Sequence, residues 1–148
     1  ASLAACGGEA PAPATAQPAT SRHAEARVGD VTVRANALAT MALDEAIAER
    51  YGLVRDDGTL LLLVGVRRGA EETPMQADVT ATVADLRGDR RPVPMRVLQG
   101  SDPSGAPVLD YFGIVEATPP DTLRFDIDVA WPGGRGATLQ LQHELRPD

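Results

Sequence analysis

Between Thr122 and Trp131 the chain alternates apolar and polar residues: Leu123, Phe125, Ile127, Val129 and Trp131 against Thr122, Arg124, Asp126 and Asp128. A period of two places the first set on one face of a strand and the second on the other, whereas a helix would scatter both around its axis. Apolar inside and polar outside is the pattern of a half-buried antiparallel strand. After Pro132-Gly133-Gly134-Arg135-Gly136 the alternation resumes, with Ala137, Leu139, Leu141 and Leu145 against Thr138, Gln140, Gln142 and Glu144. Two such runs around a Gly-rich loop predict a hairpin. Matching residues of like face gives an expected register of Val129 with Leu139, Ile127 with Leu141 and Leu123 with Leu145. That register sets Arg124 opposite Glu144 on the wet face and His143 opposite Phe125 on the dry one.

The same period recurs upstream. Val31, Val33, Ala35 and Ala37 form one expected strand, and Ala77, Val79, Ala81 and Val83 another. Val93, Met95 and Val97 follow the Pro92/Pro94 punctuation as one more, and Val108 to Val115 precedes the turn at Thr118-Pro119-Pro120-Asp121. Leu60 to Val66 is apolar on both faces, which predicts a central strand. One segment breaks the pattern. Asp44-Glu45-Ala46-Ile47-Ala48-Glu49-Arg50-Tyr51-Gly52 carries an N-cap residue, early acids and a glycine stop, and so predicts a short helix. Ile47 and Tyr51, four apart, are expected to face the sheets. The expected fold class is all-β: an immunoglobulin-like antiparallel β-sandwich of about seven strands with one short helix.

A chain of 148 residues holds one such domain and a tail. Its formal charge of −7 argues against nucleic acid, which needs clustered cations to displace counterions. It argues equally against charge-driven adsorption to anionic lipid. The acids are dispersed, as on a solvated surface. One cysteine allows no internal disulfide.

That cysteine lies in Leu3-Ala4-Ala5-Cys6, which resembles the lipobox of bacterial lipoprotein precursors. The resemblance implies diacylglycerol on the Cys6 thiol and cleavage just before it, with residues 1–5 as the remnant of a signal peptide. Residues 6–26 then read as a lipidation site and an unstructured tether, because Ala10-Pro11-Ala12-Pro13-Ala14-Thr15-Ala16-Gln17-Pro18 offers almost nothing to bury. Extended, this leash would reach on the order of 60 Å. Residues 27–148 are the expected sandwich domain. Gly7 after the cysteine, in place of an inner-membrane-retaining Asp, points to the outer membrane, facing the periplasm.

Several short stretches fall in an order similar to one bacterial family. They are Asn36-Ala37-Leu38, Arg50-Tyr51-Gly52-Leu53-Val54-Arg55, Leu61 to Val66, Asp110-Tyr111-Phe112 and Leu123 to Val129. The chain resembles the family of small secreted proteins known as domain of unknown function 4426, over roughly Val28 to Leu145. The resemblance implies an immunoglobulin-like sandwich with no assigned activity. Asp56-Asp57 stand where basic or serine residues are usual in that family, so a surface using those residues is not carried over.

Chemistry-bearing residues are sparse. Ser101 and Ser104 sit in Gly100-Ser101-Asp102-Pro103-Ser104-Gly105, a turn composition and not a nucleophile elbow. No helix follows Gly133-Gly134-Arg135-Gly136 to make a phosphate cradle. Asp126 and Asp128 share a face about 7 Å apart, but a strand's wet face is where acids belong, with Gln140 and Gln142 expected opposite. His143 is expected as a core or rim histidine bonded through one nitrogen. His23, Met41, Met75 and Met95 are dispersed without ligand spacing. The sequence therefore predicts a lipid-anchored, non-enzymatic binding module without catalytic residues, cofactor or metal. Its expected partners are the membrane, through Cys6, and an envelope protein. Contact would fall on the excursion from Thr40 to Gly58 or on an exposed sheet edge. The alternatives are a periplasmic copper carrier or an accessory subunit of an envelope enzyme.

Overall fold

The structure is a computed structural model and describes residues 22–146. Cys6, the signal remnant and residues 6–21 of the expected tether lie outside the described residues. These described residues are mostly β: ten strands in two sheets, with one short α-helix. Among the described residues no helix is long and apolar enough to cross a membrane.

The first sheet has the order β1-β2-β3-β8-β7, from His23–Val28, Val31–Ala39, Thr59–Arg68, Pro107–Glu116 and Arg96–Ser101. The two-residue β4, Thr73–Pro74, pairs with β3 beyond the reach of β8. The second sheet runs β10-β9-β5-β6, from Arg135–Leu145, Asp121–Trp131, Asp78–Ala84 and Arg90–Val93. Every pairing is antiparallel. Apolar faces of both sheets meet in one core: Val33, Leu62 and Val64 from the first, Phe125, Ile127 and Leu141 from the second. The alternation of β9 holds, with Leu123, Phe125, Ile127, Val129 and Trp131 buried and Arg124, Asp128 and Ala130 exposed.

β3 is central, as its two apolar faces require. Leu60, Leu62, Val64 and Val66 enter the main core. Leu61 and Leu63 point the other way, into a second cluster with Leu43, Phe112, Tyr51 and Leu53 under the helical excursion. α1 spans Glu45–Arg50. The Asp44 carboxylate accepts the Ile47 amide at 2.8 Å, satisfying one free donor of the first turn. The Leu53 amide returns to the Ala48 carbonyl and that of Gly52 to Glu49, with Gly52 at φ +69°, a Schellman close. Tyr51 docks as expected, edge-on to Phe112 with ring centroids 5.1 Å apart. Ile47 does not: it is 40% exposed, and Ala48 takes the buried position. A six-residue helix presents a single turn to the sheet, and here the small Ala48 faces inward and turns Ile47 out. We expect Asp44→Ala to cost the excursion about 1 kcal/mol, seen as faster hydrogen exchange across residues 45–53 with the sheets unchanged.

Four further differences from the sequence expectation have local causes. The β9–β10 register pairs Val129 with Ala137, Ile127 with Leu139, Phe125 with Leu141 and Leu123 with His143. It is displaced by two residues from that expected, which preserves every residue's face while changing its partner. Arg124 lies opposite Gln142, and Glu144 opposite Thr122. The cause is a tighter turn: Gly133 and Gly134, both at positive φ, join Trp131 to Arg135 through three residues, and Gly136 enters the strand. Next, β1 begins at His23, inside the segment read as tether. Its inward residues Ala24, Ala26 and Val28 include two alanines, too slight a signal to announce a strand. Third, β4 adds a two-residue pairing too short for a periodic pattern to show. Finally, Val93, Met95 and Val97 are not one strand. Val93 ends β6 in the second sheet, and Val97 belongs to β7 in the first. Pro94, with no N–H to offer, lies at the break.

Candidate functional site

That break leaves a concavity between the two sheets. β5 starts at Asp78, but β6 pairs only with Ala81 to Ala84. Continued in line, the chain beyond Val93 would bring Pro94, Met95 and Arg96 alongside Thr80, Val79 and Asp78. Instead it crosses to the other sheet, where Arg96 pairs with Phe112. The crossing is seated on Gly113: a Cβ there would stand 2.6 Å from Val93 Cγ1, 2.8 Å from Met95 Sδ and 3.1 Å from the Pro94 carbonyl oxygen. Two things are left over. Among the described residues, the Asp78–Thr80 stretch has β9 on one side and no strand of its sheet on the other. Among the described residues, no strand lies across from the inward face of β7, and Val97 is 54% exposed.

Between them lies a groove of about 560 Å³. Its apolar surface comes from Val97, Leu109, Tyr111 and Trp131, and its polar rim from Gln76, Asp78 and Gln99. Tyr111 and Trp131 are nearly buried, 6% and 5% exposed, and form a fixed floor. The Tyr111 hydroxyl accepts the Ala77 amide at 2.8 Å, tying the link between β4 and β5 to β8. Asp78 is the one ionisable carboxylate of the lining, and among the described residues it makes no ion pair. An apolar floor with amides and one acid at the rim suits binding of an amphipathic segment.

The residues singled out from sequence lie elsewhere. Cys6 is outside the described residues. Asp126 accepts Gln140 Nε2 at 2.7 Å and stands 3.3 Å from Arg90, while Asp128 accepts the Thr138 hydroxyl at 3.0 Å. Gln140 and Thr138, not Gln140 and Gln142, are the residues opposite, another result of the shifted register. Ser101 ends β7, and the Ser104 hydroxyl donates to Asp102 within the turn. His23 opens β1. Met41 is exposed, whereas Met75 and Met95 pack against the main core. Among the described residues no three His, Cys, Asp or Glu side chains stand together as metal ligands would. Nothing in these motifs signals the groove, which arises from where β6 ends; the only local hint is Pro92 and Pro94 within an apolar run.

His143 is buried, opposite Leu123 instead of Phe125. It bonds to the Ala37 backbone, and its Nδ1 has no partner. Burial, reinforced by the Arg22 charge and opposed by the Ala37 bond, holds its pKa below the ordinary 6.5. The folded state therefore resists a proton that the unfolded chain accepts. Stability conferred by neutral His143 is present above about pH 6.5 and is lost as pH falls through the folded pKa. We expect urea midpoints to drop between pH 7.5 and pH 5, and His143→Leu to flatten that slope. An equal slope in both proteins would refute the assignment.

The domain of unknown function DUF4426 matches residues 25–148. The chain is also similar to the crystal structure of a DUF4426 family protein from Pseudomonas aeruginosa, with a TM-score of 0.64 at 24% identity, covering 86% of this chain and 97% of that one. Among curated proteins, none matches. The sequence resemblance over Val28 to Leu145, the family match and the shared two-sheet fold agree: the chain belongs to the DUF4426 family.

Proposed function

We propose that this protein is a non-enzymatic binding module of the bacterial cell envelope, built as an immunoglobulin-like sandwich and held to the outer membrane, facing the periplasm, by lipid on Cys6. The groove between β5 and β7 is its contact surface. The observation that carries the reading is the pairing of an aromatic floor, Tyr111 and Trp131, with a strand stretch, Asp78–Thr80, that among the described residues lacks a neighbour on one side. Such a site takes a partner through main-chain pairing and shallow side-chain burial. The anchor rests on the Leu3-Ala4-Ala5-Cys6 motif and the Ala/Pro-rich segment after it.

Both halves are testable in cells making the full precursor. Metabolic labelling with a fatty acid should tag the wild type and not Cys6→Ser; equal labelling would remove the anchor. A photo-crosslinking residue at Val97 should trap an envelope protein that the same residue at Val54, 75% exposed on the helical excursion, does not. Trapping only from Val54 would move the contact surface to the excursion.

A further inference from the structure

We infer that the groove accepts a short extended peptide that continues the line of β6, with an apolar residue opposite Val79 and a cationic residue opposite Asp78. The inference rests on the groove being the contact surface and goes further by specifying the occupant. Three observations define it. First, β5 is paired along its whole length by β9 but only over Ala81 to Ala84 by β6, so among the described residues a strand position is open beside Asp78 and Val79. A peptide lying there would meet unpaired backbone groups, the basis of strand addition. Second, Val79 packs toward the main core, so the residue opposite it in an antiparallel ladder points the same way. That side chain would enter the groove above Trp131 and cover Val97, the apolar residue that β7 leaves exposed. Third, Asp78 alternates with Val79 and so stands at the outer rim of the groove, exposed and without an ion pair among the described residues. Opposite charges directly across a ladder attract and like charges repel, so Asp78 selects a cation at the next position. The whole chain carries −7, which adds attraction for a basic segment and opposes a second copy.

Trp131 is the single tryptophan of the chain and lines the groove, so its emission reports occupancy directly. The probes are three capped eight-residue peptides of alternating threonine and valine: one with a central threonine replaced by arginine, one with glutamate there, and the arginine peptide with alternate backbone amides methylated. We expect the arginine peptide to shift Trp131 emission and to slow hydrogen exchange at Asp78–Thr80, binding about three- to tenfold more tightly than the glutamate peptide. The methylated peptide should not bind, and Asp78→Arg should invert the preference for charge. Equal binding of the arginine and glutamate peptides would overturn the cationic assignment. No response to any of the three would overturn the peptide as occupant, while a partner trapped from Val97 would still stand. Self-association abolished by Val97→Arg would name a second copy instead and overturn the inference.

Discussion

Phe125→Ala is expected to lower the unfolding free energy by about 3–5 kcal/mol, read as a fall in the urea midpoint followed through Trp131 emission. Phe125 is fully buried in β9, between Val83 of β5 and Leu141 of β10. It is also among the largest fully buried side chains of the core. Truncation removes transfer free energy and leaves a cavity between two tightly packed sheets. Domains of this size are stable by about 5–15 kcal/mol, so the loss would consume a large part of the total. Val54→Ala, on the exposed excursion, should stay within about 0.5 kcal/mol. A comparable effect from both variants would mean that the apolar face of β9 is not the interior.

Gly113→Val should cost about 3 kcal/mol and, unlike Phe125→Ala, should also reshape the groove. Even the first added carbon would stand within 3 Å of Val93 and Met95, and close to the Pro94 carbonyl. Met95 is flexible enough to yield. Val93, 4% exposed, and the proline backbone are not. The strain must be relieved by lifting the crossing from β6 to β7, which moves Val97 relative to Trp131. The expected signature is a loss of stability accompanied by a shift of Trp131 emission in the still-folded protein. A destabilised variant with native emission would show that the crossing and the groove are not mechanically linked.

These effects separate what the amino-acid pattern announces from what it conceals. The faces of β9 and β10, the double-sided burial of β3 and the capped helix at Asp44 were all legible, because each follows from local periodicity or from a single capping side chain. The β9–β10 register was not. A slip of two residues keeps every hydrophobic residue inside, so periodicity cannot choose between registers, and the choice falls to the conformation of Gly133 and Gly134. The split at Pro94 was hidden for a related reason: Val93, Met95 and Val97 keep a period of two across a change of sheet. The groove was hidden most completely. It is defined by a strand that stops early, and Val97, Trp131 and Asp78, far apart in sequence, have no common motif.

The arrangement of the chain ends has a practical side. β1 and β10 pack together, and Arg22 lies close enough to His143, near the end of β10, for its charge to act there. Entry and exit of the folded body therefore share one flank, while β7 forms the opposite margin of its sheet. Grafting onto a surface or fusing a reporter at that flank should leave the groove beside β7 unobstructed. A pulling force applied between the ends would load the β1–β10 seam first and leave the far margin slack.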